Sequence, residues 1–209
     1  MPPEPDPANL STSPCVPWSE VAFRRGEVVL DEPDPKVIHA ARAGDPAAFE
    51  TIVRTYQVDV WRFCAHLLRD DDAAADVAQE AFVRAYRFLR RYRGDSKFST
   101  WLFSVVRNCA LDELRRSARR RRTGDLLGAQ PARRATDHTV GVEVREAVVA
   151  LPLPLRECVV LVDVFGLPYR DAAALAGVPE GTVKSRVHRA RELLADALGP
   201  AVEERAGDA

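Results

Sequence analysis

The chain has 209 residues, 46% of them hydrophobic and 29% charged, with a net charge of −1. These values are ordinary for one or two soluble globular domains. The start, MPPEPDPANL, has neither a basic nor an apolar run, and no apolar run elsewhere is long enough to span a bilayer, so the expected location is cytoplasmic. That location also excludes cell adhesion as the meaning of Arg93-Gly94-Asp95.

Residues 1–33 are rich in proline and lack a period, which predicts a disordered N-terminal tail. Asp34-Pro35 and Asp45-Pro46 each place a capping carboxylate before a proline at the first helical position. They predict helices over about 35–43 and 46–68, and Asp70-Asp71-Asp72 opens a third that runs to about Leu89. A loop follows, and Ser99 is the expected N-cap of a fourth helix reaching about Arg121. Residues 123–140 carry Gly, Ala, Thr and Pro without an apolar period and read as a linker. Helical pattern resumes near Val142, and no strand alternation is sustained anywhere. The expected fold is all-α: a helical domain over 34–122, the linker, a second small domain over 141–199 and a tail over 200–209.

The near-neutral net charge conceals a strong pattern. Residues 1–80 hold 7 Lys/Arg and 15 Asp/Glu, whereas residues 84–122 hold 13 and 3, a net of +10. Such a block steers polyanions whatever the overall balance. The loop and the helix after it, RGDSKFSTWLF (93–103), set hydroxyls and aromatics inside this block. Ser96, Lys97 and Phe98 form a candidate pocket for a splayed base, with Ser99, Thr100, Trp101, Arg107 and Asn108 continuing along the helix. Trp101 reads equally as a core residue at the helix start.

Residues 168–196, PYRDAAALAGVPEGTVKSRVHRARELLAD, have helix-turn-helix grammar. Ala172, Ala173 and Ala176 permit close helix approach, and Gly177-Val178-Pro179 supplies the turn. In the second helix Val183, Val187, Ala190, Leu193 and Leu194 share one face. Lys184, Ser185 and His188 with Arg189 lie opposite, and Thr182 and Arg186 complete the candidate DNA-reading set. Arg and Lys suit guanine edges or phosphates, and Ser adds short hydrogen bonds.

In DVAQEAFVRAYRFLR (76–90), Val77, Ala78, Ala81, Phe82, Ala85, Phe88 and Leu89 share an inner arc, and the outer arc runs from acidic to basic. The four cysteines, Cys15, Cys64, Cys109 and Cys158, are widely spaced with no C-x-x-C pair, so neither a zinc site nor a disulfide framework is indicated. There is no clustered carboxylate metal site, phosphate loop or nucleophile–base pair, so no enzyme, metal or cofactor is expected.

Three stretches carry a family resemblance: DVAQEAF (76–82), FSTWLFSVVRNCALDELRR (98–116) and LPLPLRECVVLVDVFGLPYRDAAALAGVPEGTVKSRVHRAR (151–191). Together they resemble the extracytoplasmic-function (ECF) group of bacterial sigma-70 RNA polymerase sigma factors, over about residues 45–198. The resemblance implies a subunit that directs promoter-specific initiation with core polymerase. It places Asp76, Gln79 and Glu80 against the β′ coiled coil, adds the β flap as a further contact, assigns the loop and fourth helix to the −10 element, and gives the helix-turn-helix the −35 element. It also implies an anti-sigma partner. A stand-alone helix-turn-helix regulator is the alternative, and it leaves the docking stretch and the loop unexplained.

Overall fold

A computed structural model of the protein describes residues 31–68, 70–122 and 140–198. The expectations for most of the N-terminal tail, for nearly all of the linker and for the C-terminal tail lie outside these residues. The described residues form eight α-helices and contain no strand. They are α1 (Pro35–Ala43), α2 (Pro46–Leu67), α3 (Asp71–Phe88) and α4 (Phe98–Arg122), then α5 (Val140–Ala150), α6 (Leu153–Val159), α7 (Tyr169–Ala176) and α8 (Glu180–Leu198).

Aspartates start the first three helices. The Asp34 carboxylate accepts from the Lys36 amide at 2.7 Å, Asp45 from Ala47 at 2.9 Å, and Asp70 from Asp72 and Ala73 at 3.0 Å. Each such cap contributes about 1 kcal/mol to helix stability. Gly44 ends α1 in the left-handed region, at φ 101°, which lets α2 fold back against α1.

The third helix departs from the expected wheel at its end. It tightens into a 3-10 turn over Leu89–Arg91, where Leu89 is buried and Phe88 turns outward. The Arg91 guanidinium lies 5.2 Å from the Phe88 ring centre, a cation–π contact that covers the displaced aromatic. The fourth helix begins at Phe98, one residue before the expected cap. Its first amides are satisfied by a residue from far away in the sequence: the Glu32 carboxylate accepts from Phe98 N at 2.9 Å and Ser99 N at 3.2 Å. Asp31 and Glu32, read from the sequence as part of a disordered tail, are therefore bonded to the first domain.

Ile52, Tyr56, Val60 and Phe63 from α2 pack with Val77, Ala81 and Ala85 from α3 and Leu102, Phe103 and Val106 from α4. The second domain folds α6, α7 and α8 together, with a π-helical turn over Val160–Val164 after α6. Ala172, Ala173 and Ala176 are buried, as are Val183, Val187 and Ala190 facing them. Gly177, at φ 67°, makes the turn between α7 and α8 that a residue with a Cβ would strain.

The two halves also share a core. Phe165, which follows the π turn, meets Phe63 of α2 edge-on at 5.7 Å and lies tilted 5.4 Å from Phe103 of α4. Buried Arg156 of α6 donates to the Leu67 carbonyl at the C-terminal end of α2 at 2.7 Å and to the Leu151 carbonyl at 2.8 Å. A cation at that end is favoured by the helix dipole.

Candidate nucleic-acid interface

The −35-reading candidates sit on α8. The buried row of Val183, Val187 and Ala190 fixes which way the helix faces, and Lys184, Ser185, His188 and Arg189 are consequently exposed. Neighbouring glutamates hold several of these side chains in place. Lys184 Nζ is 2.8 Å from Glu180 and lies over the Tyr169 ring at 5.7 Å, and Arg189 Nη1 is 2.8 Å from Glu192. His188 Nε2 is 3.3 Å from the same glutamate. These pairs are exposed and cheap to exchange for phosphate. The Ser185 hydroxyl donates to the Thr182 carbonyl at 3.0 Å, and Thr182 is half-buried. Arg186 is half-buried on the flank of α8, and its guanidinium offsets part of the burial effect on the Cys158 thiol of α6.

The −10 candidates divide into two sets. Ser96, Lys97 and Asn108 are exposed, and Thr100 is half-buried. Tyr92 Oη donates to the Ser96 carbonyl at 2.6 Å and so closes the loop. Phe98 and Ser99, in contrast, are 1% and 2% exposed. The Phe98 ring lies among Tyr56, Tyr92 and Trp101, and the Ser99 hydroxyl is bonded to Glu32. Neither presents itself to a base in this conformation. Trp101 is half-buried, 5.4 Å from both Tyr92 and Phe98, so its ring serves the packing of the helix start. Arg107 is withdrawn as well: it pairs with Glu157 of α6 and donates to the Ala176 carbonyl at 3.1 Å.

On α3, Asp76 and Gln79 are exposed and Glu80 is half-buried. Glu80 bonds Arg84 at 2.5 Å and meets Arg116 at 3.5 Å, and Arg84 reaches Asp112 at 3.1 Å. The hydrogen bond from Arg84 holds the Asp112 carboxyl below its ordinary range. One helical turn further along the same exposed face stand Val83, 50% exposed, and Tyr86, 45% exposed. The sequence places both on the outer arc, but composition alone gave them no role. Two large apolar side chains left in solvent beside an acidic and amide pair make a surface suited to a protein partner.

The three described cysteines are buried, and burial raises the thiol pKa of each, Cys109 to about 11. They are inert packing groups. Among the described residues no group of His, Cys, Asp or Glu is arranged to hold a metal, and no helix is long and apolar enough to cross a membrane.

Comparison with known proteins agrees with this organisation. The family model for Sigma-70 region 2 matches residues 52–120, and that for Sigma-70, region 4 matches residues 141–194. The RNA polymerase sigma-H factor of Pseudomonas aeruginosa is 33% identical over 192 residues, covering 85% of this chain and 100% of that protein. The ECF RNA polymerase sigma factor SigC of Mycobacterium tuberculosis is 38% identical over 174 residues, covering 80% and 92%. Among solved structures, the sigma factor RpoE in complex with the anti-sigma factor NepR from Bartonella quintana aligns with a TM-score of 0.63 and 27% identity, covering 72% of this chain and 96% of that one. The two family models match one after the other along this chain, these relatives are covered over 92% or more of their own length, and the chain belongs to the ECF group of the sigma-70 family.

Proposed function

We infer that the protein is a promoter-specificity subunit of RNA polymerase: it binds the core enzyme, directs it to promoters and assists DNA opening. The observation that carries this reading is the pairing of two outward faces on one chain. The acidic and apolar face of α3 (Asp76, Gln79, Val83, Tyr86) is suited to a protein, and the cationic face of α8 (Lys184, Ser185, His188, Arg189) is suited to a major groove. A stand-alone DNA-binding regulator needs only the second. In this reading Asp76 and Gln79 meet the β′ coiled coil, α8 reads the −35 element, and Ser96, Lys97, Thr100 and Asn108 handle the −10 element. The work is recognition and strand separation, not bond chemistry, and it takes place in the cytoplasm with an anti-sigma protein as the regulatory partner.

Run-off transcription with purified core polymerase tests the reading. The expected result is a discrete transcript from promoters upstream of genes induced with this protein. Tight duplex binding by the protein alone, with no initiation at any promoter of its host, returns the helix-turn-helix regulator.

A further inference from the structure

We propose that Glu32 is a positioning residue for promoter melting: its carboxylate caps α4 from outside the helix and thereby fixes the loop that presents Ser96 and Lys97. This rests on the sigma reading above and adds to it a residue that touches no DNA.

The first amides of any α-helix lack intrahelical partners. In α4 those of Phe98 and Ser99 are taken by Glu32 at 2.9 and 3.2 Å, and the Ser99 hydroxyl bonds the same carboxylate. The loop's own Ser96 hydroxyl is turned to the Lys97 carbonyl at 3.4 Å, so it does not cap the helix. A negative group at this end also complements the helix dipole. The preceding residue provides a second anchor: the Tyr56 hydroxyl donates to the Asp31 carbonyl. Tyr56 is buried, with its ring 6.1 Å from that of Phe98. Two consecutive residues are therefore tied in the surroundings of Phe98, whose ring also packs on Tyr92 at 5.5 Å. Tyr92 in turn closes the loop by bonding the Ser96 carbonyl. The exposed pair Ser96 and Lys97 is strung between these fixed points.

Loss of the carboxylate leaves two amides and a buried hydroxyl without their acceptor, and the start of α4 loosens. Ser96 and Lys97 remain in the chain but are no longer held in place. Unstacking a base step costs a few kcal/mol, so groups that capture the displaced base must stand ready in position. Glu32 is itself anionic and would repel phosphate, so its contribution passes through α4.

The test uses the full-length protein as holoenzyme on a promoter, with permanganate reactivity of unpaired −10 thymines reporting the open fraction. Glu32→Ala is expected to lower that fraction about tenfold while affinity for core polymerase and for −35 duplex stays within about twofold. Glu32→Gln keeps an acceptor oxygen and is expected to fall between Glu32→Ala and wild type. Val60→Ala, a core substitution compared at equal fraction folded, is expected to open promoters like wild type. An unchanged open fraction in Glu32→Ala, or an equal loss in Val60→Ala, overturns the role of Glu32 while leaving the sigma reading intact. Failure of the wild-type holoenzyme to open any promoter overturns both.

Discussion

Arg107 of α4 is held across the domain boundary by Glu157 of α6, and both side chains are largely out of solvent, 18% and 6% exposed. Arg107 belongs to the basic helix that we propose meets the −10 element, and in this conformation it is paired with the second domain. Removing one member of a buried pair leaves the other charge uncompensated, which costs about 3 kcal/mol or more. Glu157→Gln is therefore expected to loosen the seam. Labels at exposed Val83 and His188 should report a longer mean distance in Glu157→Gln than in wild type. The charge swap of Arg107→Glu with Glu157→Arg should restore the shorter one. Identical distance distributions in all three proteins would show that this pair does not hold the halves together.

The exposed face of α8 gives a second expectation. Lys184→Ala and Arg189→Ala should each weaken −35 duplex binding by about tenfold, and each lost phosphate contact should reduce the salt slope by about one. Arg186→Ala separates the structural reading from the sequence one. Arg186 is half-buried, so duplex affinity should fall less than in Lys184→Ala while the second domain loses stability. A duplex defect in Arg186→Ala at unchanged thermal stability would return that residue to the DNA face.

How far the sequence could be read follows from the range over which each interaction acts. The three aspartate caps, the Gly177 turn and the apolar row of α8 are decided within a few residues, and all were legible. Phe98, Ser99 and Arg107 share a basic stretch with Lys97 and Asn108, and composition cannot separate them. Their withdrawal depends on Glu32, Tyr56 and Glu157, which are 50 or more residues distant except for Tyr56 with its 42-residue separation from Phe98. Nothing local in the sequence distinguishes Phe165, and only its contacts with Phe63 and Phe103 reveal the shared core. The exposure of Val83 and Tyr86 was present in the helical wheel, and an apolar pair on an outer arc is the signal that marks a docking face.

The exposed apolar pair on α3 makes a third expectation. Val83→Asp and Tyr86→Ala should each reduce affinity for core polymerase by about tenfold, measured by competition with another sigma factor. Val83 should leave the thermal midpoint unchanged because it is half exposed. Tyr86 packs edge-on against Phe49 at 4.9 Å, so its truncation should also cost a little stability. Wild-type affinity in both variants would move the polymerase contact away from this end of α3.

His66 provides a pH dependence. It is buried at the end of α2, and burial, followed by the nearby positive charges of Arg145 and Arg62, lowers its pKa from 6.5 to about 4, with Asp71 opposing. Between those values the unfolded chain takes up a proton that the folded chain refuses. Stability is therefore complete above pH 6.5 and falls as the pH drops toward 4. At about 1.4 kcal/mol per pKa unit, the loss amounts to about 2 kcal/mol by pH 5. Arg145 also pairs with Asp71 across the two halves, so protonation adds a third positive charge beside that contact. Urea denaturation at pH 7.5, 6.5, 5.5 and 5.0 measures the fall. His66→Leu should flatten it across this window, whatever its effect on stability at pH 7.5. A variant that loses stability with acid as steeply as wild type would assign the effect to other groups.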